Sequence, residues 1–501
     1  MSGISGTSAA APTAPGRLPL IGHGHQLARR PLEFMDSLRS QGSVVKILIG
    51  PTAAYVVTDP AVTRRVLVTE VDAFAKGGKI IDALRVFFGD GLATIADGDL
   101  HLKHRRLMQP MFNKAHIATR GDVMISHVRT ATEAWAEGVA RDTYEDMNDL
   151  TLSTFLVALF GSGLPGHVEG EFQSLMPAIM RGTIRQTILP GWVTKLPLPA
   201  NRAHEQRVAR LRALIDQAID HHRAQLAAAP DTSAGPPAGC PAHTGSSTDG
   251  PTDSSTGDST VGSTGNSSEG GLFSTLLTAD DPETGPFSRQ QLQDEAITLL
   301  TGAIETTGTT LAWTLYEISR NAEIERRLHD ELDAVCGDRP LRQEDVGSLP
   351  YMRSVLKEAM RMYGPAWLVT RTTTRPVVLD GHPIPEGADV VYSPYVHQHD
   401  PDVYADPKTF DPDRWEPERA KSINRTSFLA FGDGRRKCIG EEFAWTELLI
   451  VLATVVQRWR LTLTSAPPRP QAIVTVKPDK LSMTPQLRVP RTTEEKAEQP
   501  A

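Results

Sequence analysis

The chain has 501 residues, enough for two to four average domains or for one large core, and its 40% hydrophobic and 22% charged residues are those of an ordinary folded protein. A net charge of −8 gives no overall attraction to nucleic acid, so an acidic partner has to be met by a local basic patch. Three cysteines, Cys240, Cys336 and Cys438, are too few and too odd in number for a disulfide framework, and point to the reducing cytoplasm.

Residues 1–18 are small and polar, with no apolar run long enough for a bilayer span or a signal core. A flexible N-terminus and no membrane anchor are expected. After Pro19-Leu20-Ile21-Gly22-His23-Gly24 comes a helix-like stretch to Phe34. Val44–Leu48 and Ala54–Val57, on either side of Gly50-Pro51, predict a hairpin and with it a small sheet. Phe74 to Ile95 reads as a glycine-bounded loop carrying Ile80, Ile81, Leu84, Val86, Phe87 and Phe88. So much apolar area packs under something or lines a pocket, and plain core burial is the other reading.

His101 and Arg105 stand four apart where a helix opens, so they share a face and can reach one anionic group; a solvated basic face is the alternative. From Gly121 to Ala227 helical periods follow one another, interrupted at Pro190-Gly191-Trp192 and at Leu196-Pro197-Leu198-Pro199-Ala200-Asn201-Arg202, breaks that suit lid hinges. Met176, Ile179 and Ile184 face a cavity from this lid or pack in the core. Residues 229–271, almost wholly Gly, Ser, Thr, Pro and Asp, cannot bury enough surface to offset their ordering entropy. A disordered insert is expected, holding Cys240.

Ser288 and Gln291 form a capping-box pattern opening a helix that runs to about Ser319. Ile297, Leu299, Leu300, Ala303, Ile304, Leu311, Trp313 and Leu315 cover most of its circumference, which marks a buried helix. Within it, Gly302-Ala303-Ile304-Glu305-Thr306-Thr307 places a carboxylate and hydroxyls where unpaired polar groups are costly. Thr306 either serves chemistry or back-bonds to its own helix. A helix from Leu349 to Tyr363 carries Glu358 and Arg361 on one face, a spacing that by itself is usually a surface pair. Pro365-Ala366-Trp367-Leu368-Val369-Thr370-Arg371 is an apolar segment ending in a cation. The turn at Asp380-Gly381-His382 and the strand-like Val390-Val391-Tyr392 are expected to continue the small sheet, and the tail 491–501 to fray.

The chain is organised around Phe431-Gly432-Asp433-Gly434-Arg435-Arg436-Lys437-Cys438-Ile439-Gly440, a glycine-rich loop running into an apolar helix. Cys438 reads as an iron ligand, since such a loop can turn amides toward a sulfur while Phe431 walls it from water and Arg436 supplies charge. A phosphate-binding glycine loop with an incidental thiol is the alternative, but no strand-to-helix nucleotide fingerprint accompanies it.

This loop resembles the signature of the haem-thiolate monooxygenases, the cytochromes P-450: Phe431, Gly434, Arg436, Cys438 and Gly440 fill every defined position. The resemblance extends over residues 19–490 and implies a single domain, mainly α with small β-sheets, with haem b (iron protoporphyrin IX) between the long helix and the Cys438 loop. It implies Cys438 on iron, Phe431, Gly434, Arg436, Gly440 and Ala303 against the haem, and His101, Arg105 and Arg371 on its propionates. Gly302 and Ala303 would leave room for O2, and Glu305 and Thr306 would deliver protons. Glu358, Arg361 and Arg414 would form a structural triad holding the Cys438 loop.

An apolar substrate pocket would be bordered by Ile80, Leu84, Phe87, Phe88, Met176, Ile179, Leu300, Ala366, Trp367 and Leu368. Electrons would come from NAD(P)H through a separate ferredoxin reductase and ferredoxin, docked by Arg435, Arg436 and Lys437 with Lys103 and Arg106. Phe74–Ile80 and Leu196–Arg202 look similar to segments of actinobacterial terpene oxidisers, which implies a terpene substrate in secondary metabolism. Polyketide or fatty-acid hydroxylation, and a haem-thiolate isomerase without electron supply, are the competing readings.

Overall fold

The structure, a computed structural model, describes residues 10–161, 166–188, 191–228 and 271–488. The low-complexity insert, apart from residue 271, lies outside the described residues, as do Cys240 and the tail beyond residue 488. The helices that position the site are α1 Lys79–Phe88, α2 Asp99–Met108, α3 Gly121–Glu133, α4 Thr143–Phe160, α5 Gly166–Ile188, α6 Pro199–Ala228, α7 Arg289–Arg320, α8 Pro350–Tyr363 and α9 Glu441–Arg458. The strands are β1 Val44–Ile49, β2 Thr52–Val57, β3 Phe74–Ala75, β4 Arg141–Asp142, β5 Val369–Thr373, β6 Val377–Leu379, β7 His382–Ile384, β8 Asp389–Tyr392, β9 Trp459–Leu463, β10 Pro470–Ala472, β11 Val476–Pro478 and β12 Ser482–Leu487.

The hairpin predicted around Gly50-Pro51 forms with Val44 opposite Val57 and Ile49 opposite Thr52. It belongs to a five-stranded sheet of order β1-β2-β8-β5-β3, in which β8 lies parallel to β2. Residues 10–18, expected to be flexible, begin ordered: Ala14 N donates to Lys46 O and Lys46 N to Pro12 O, so the main chain covers the free edge of β1. The turn at Asp380-Gly381 joins β6 to β7 as a separate two-stranded ribbon instead of extending the sheet; only β8 of that region joins it.

The segment expected as a loop after Phe74 contains α1, ten residues long, started at Gly78 and stopped at Gly89, both at positive φ. Ile81, Phe87 and Phe88 are buried at helical spacing while Val86 faces out. After α1 the backbone lies directly on α7: a Cβ at Gly91 would stand 2.1 Å from Thr298 Oγ1 and 2.6 Å from Asp294 O. Between α5 and α6 the predicted hinge is clamped by the buried Asn201, whose amide donates to the carbonyls of Val193, Thr194 and Leu196 and accepts from Arg185.

The 32-residue α7 is the axis of the core. Ser288 and Gln291 close both halves of the capping box, and the helix then packs against α4, α8 and α9. Its first turns are tied to α2 by a fully buried pair, His104 Nδ1 and Glu295 Oε1 at 2.5 Å, with Leu92 N donating to the other carboxylate oxygen. No helix among the described residues is long and apolar enough to cross a membrane.

Candidate active site

Cys438 sits at the end of a loop whose conformation depends on glycine. Gly432 and Gly434 lie at φ 68° and 66°, and a Cβ at Gly434 would come within 1.9 Å of Leu67 O, so no side chain fits there. Cys438 N donates to Phe431 O at 2.8 Å, closing the loop, and the Gly440 amide donates toward the sulfur at the start of α9. Burial pushes the thiol pKa up, against the pull of the Gly440 amide and the positive charges of Arg105 and Lys437. Yet the residue has accessible surface. The two facts agree if the sulfur borders an internal space walled by protein. Phe431, half-buried, leans on Trp445 with ring centroids 5.9 Å apart.

Arg436 is held by three acceptors. Its Nε donates to Asp97 at 2.8 Å and its two Nη groups to Leu92 O and Ile95 O, so it braces the loop against the α1–α2 connection. The cations beside the thiol are Arg105, whose Nη1 donates to Lys437 O at 2.8 Å, and Lys437. The expected helix-face partner of Arg105, His101, is buried, with Nδ1 lacking a partner and its pKa held down to about 4 by burial and by Arg436.

Around these residues gathers a basic cluster the sequence showed only in part. Arg371 is buried on β5, beside Tyr392. Lys76, absent from the sequence expectations, is pushed down to about 7 by burial and by the charges of Arg371 and Arg436. Asp97 accepts from Arg436 and from the Lys76 amide, and its carboxyl is held below the usual range against the opposing effect of burial. Buried cations placed side by side are costly unless an anionic group completes them. A ligand with two carboxylates, such as haem with its propionates, fits this donor set, and His101, with its unpartnered Nδ1, feels the charges of Arg436, Asp97 and Arg105 in the same cluster. Lys76, followed by Gly77 and Gly78, gave no more signal in the sequence than Asp97.

On α7 the flanks are buried, but Gly302 is exposed and Ala303, Glu305 and Thr306 are half-buried, so free surface opens in the middle of a core helix. Thr306 Oγ1 donates to Gly302 O at 2.6 Å, the back-bond allowed for in the sequence. Glu305 accepts from Thr475 Oγ1 at 2.9 Å, and burial raises its pKa. Thr475 lies in the turn between β10 and β11, which sequence reasoning passed over although Ala472–Val476 is an apolar strand-like run. The same turn meets the segment before β5, where Trp367 Nε1 donates to Ile473 O at 3.1 Å.

Glu358, Arg361 and Arg414 form one buried network. Arg361 binds Glu358 through two nitrogens at 2.9 and 2.8 Å, Arg414 Nε lies 3.3 Å from Glu358, and Trp415 and the Asp411 amide also donate to it. Gln398, also missed from sequence, links this network to the cysteine loop. Its amide donates to Met360 O and Arg361 O while its oxygen accepts from Leu429 N.

Of the expected pocket residues, Ile80, Leu84, Ala366, Trp367 and Leu368 keep free surface. Phe87, Ile179 and Leu300 do not border any space: at 1%, 0% and 1% exposure they are packed into the main core. Phe88 and Met176 are buried in the same cluster, and the side chain of Ile184 lies outside the described residues. Two expected docking cations are also engaged elsewhere, Lys103 donating to Thr284 O and Arg106 to Asp281.

The family model for cytochrome P450 matches residues 12–485. The chain is similar to cyclooctatin synthase of Streptomyces melanosporofaciens, 38% identical over 95% of both chains. Pentalenene oxygenase of Streptomyces avermitilis is 34% identical over 93% of this chain and 94% of that one. Cyclooctat-9-en-7-ol 5-monooxygenase of Streptomyces melanosporofaciens is 33% identical over 90% and 89%. In fold, the crystal structure of the cytochrome P450DA heme domain superposes with a TM-score of 0.79 at 22% identity, covering 96% of this chain and 98% of that one. The glycine-locked cysteine loop, the buried basic cluster and these likenesses agree: the chain belongs to the cytochrome P450 family of haem-dependent, oxygen-incorporating oxidoreductases.

Proposed function

We propose that this chain is a cytoplasmic haem b monooxygenase that places one oxygen atom from O2 on a terpene. The observation that carries the reading is Cys438, with the Gly440 amide toward its sulfur, in a chain whose basic cluster suits two propionates. Bound haem supplies O2 activation and oxygen transfer, and thiolate ligation favours O–O cleavage. Cys438 holds the iron. Arg105, Arg371, His101 and Lys76 bind the propionates, with Arg436 and Asp97 keeping that cluster in place.

Gly302 and Ala303 keep bulk away from the centre of α7. Burial raises the pKa of the Glu305 carboxyl, which favours its proton-carrying form, and Thr306 presents a hydroxyl beside it. Ile80, Leu84, Ala366, Trp367 and Leu368 form an apolar wall that excludes water and suits a hydrocarbon. Three relatives whose names speak of cyclooctatin, pentalenene and cyclooctat-9-en-7-ol support a terpene over a polyketide or fatty acid. Electrons come from NAD(P)H through a reductase and a ferredoxin, which meets Arg435 and Lys437, each already in a partly exposed ion pair with Asp72 or Glu441.

The test supplies the haem-loaded protein with NADPH, a surrogate ferredoxin and reductase, isotope-labelled O2, and pentalenene or cyclooctat-9-en-7-ol as probes. A product carrying one labelled oxygen is expected. Turnover of a fatty acid in place of either terpene would overturn the substrate class, and conversion without reduced cofactor would overturn the monooxygenase.

A further inference from the structure

Glu305 is joined to a run of side-chain hydroxyls. Thr475 Oγ1 donates to its carboxylate at 2.9 Å, and Thr309 Oγ1 lies 3.3 Å from Thr475 Oγ1. Thr309 stands one turn further along α7, and its hydroxyl is close enough to the phenol of Tyr144, near the start of α4, to lower that phenol's pKa. Thr309 and Thr475 are buried, Tyr144 is half-buried and Glu145 beside it is exposed. The hydroxyls therefore form a line from the carboxyl to the outer surface of the α4–β11 contact. The charged groups facing Glu305 are Lys477, which lowers its pKa, and Glu145, which raises it; Lys477 Nζ also stands over the Tyr144 ring at 5.3 Å.

Two threonine hydroxyls meeting inside a core need a reason, because each could have bonded to its own backbone, as Thr306, Thr307, Thr310 and Thr314 do on the same helix. Thr309 does not. We infer that Thr475, Thr309 and Tyr144 are the route by which Glu305 is reprotonated from solvent, with Thr475 the residue that positions its carboxylate. The inference rests on the monooxygenase reading of the site. When Glu305 gives up its proton inward, the Thr475 hydroxyl passes its own to the carboxylate. Thr475 is refilled from Thr309, Thr309 from Tyr144, and Tyr144 from water, so each oxygen ends as it began. The β10–β11 turn is thereby a working part of the site.

The test compares the parent holoenzyme with Thr475→Val, Thr475→Ser, Tyr144→Phe and Glu305→Gln. The carbonyl stretch of the protonated Glu305 carboxyl, assigned by its loss in Glu305→Gln, is followed by infrared difference spectroscopy across pH and after transfer to D2O. Removing the donor to the ionised form in Thr475→Val should raise the midpoint by about one pH unit and slow deuterium uptake about tenfold. Thr475→Ser should restore both, and Tyr144→Phe should slow uptake with little change in midpoint.

Oxygen consumption driven by NADPH and a surrogate ferredoxin, with pentalenene as probe, should fall about tenfold in Thr475→Val. An unchanged midpoint and uptake rate in Thr475→Val would overturn the inference. If the infrared changes appear while Glu305→Gln leaves oxygen consumption untouched, the hydrogen-bonded line stands and the catalytic role of Glu305 falls instead.

Discussion

Glu447 lies fully buried on α9, nine residues after Cys438, where burial pushes its carboxyl well above the usual 4.5. The Thr307 hydroxyl offers only a weak opposing pull, because it donates to Ala303 O. A carboxyl whose folded pKa is raised keeps its proton longer in the folded state than in the unfolded one. The stability this gives is fully present below the unfolded value and is lost as pH rises through the folded one. Glu447→Gln fixes the neutral form and removes that dependence. Above the ordinary carboxylate range, and until the folded carboxyl itself ionises, the variant should therefore gain on the parent by up to ~1.4 kcal/mol per pH unit. Chemical denaturation at several pH values measures this, and a difference that stays constant across the window would show that Glu447 is ionised in the folded protein.

At the scale of elements, α8, the Arg414 segment and the cysteine loop are joined by the Glu358 network and by Gln398. Both Glu358 and Arg361 have fully buried side chains, so the surface-pair reading of their spacing does not apply. Removing one partner leaves the other buried without compensation, at a cost of about 3–5 kcal/mol. Arg361→Ala should accordingly lose most of its bound haem on purification and unfold at much lower denaturant. Arg361→Lys should rescue little, because Arg361 also donates to the carbonyls of Gln398, Pro407 and Thr409, a set that needs a planar fork. A purified Arg361→Ala protein with the parent haem content and midpoint would contradict this. The elements with strong local chemistry were legible beforehand: the capping box at Ser288, the hairpin at Gly50-Pro51 and the Glu358 helix. The helix Lys79–Phe88 was not, because its flanking glycines suggested a loop and its spacing of buried groups was outweighed by them.

Across the whole molecule, α7 and the Cys438 loop are the two walls that everything else supports. The loop, the long helix and half of the basic cluster could be read from sequence because each is written in adjacent residues. Lys76, Asp97, Gln398 and Thr475 could not, since each acts on residues far away in the chain: Thr475 reaches Glu305 across 170 positions. The partners of Arg436 were hidden for the same reason. Its place in the motif was visible, but its pairing with Asp97, 339 positions away, was not.

The central claim is that Cys438 binds haem iron as a thiolate. Reducing the haem-loaded protein, adding carbon monoxide and recording the difference spectrum tests it directly. A strongly red-shifted Soret band in the parent, absent from Cys438→Ala, is the predicted result. A haem-loaded parent whose carbon monoxide complex lacks that band, or a Cys438→Ala protein that keeps it, would contradict the account.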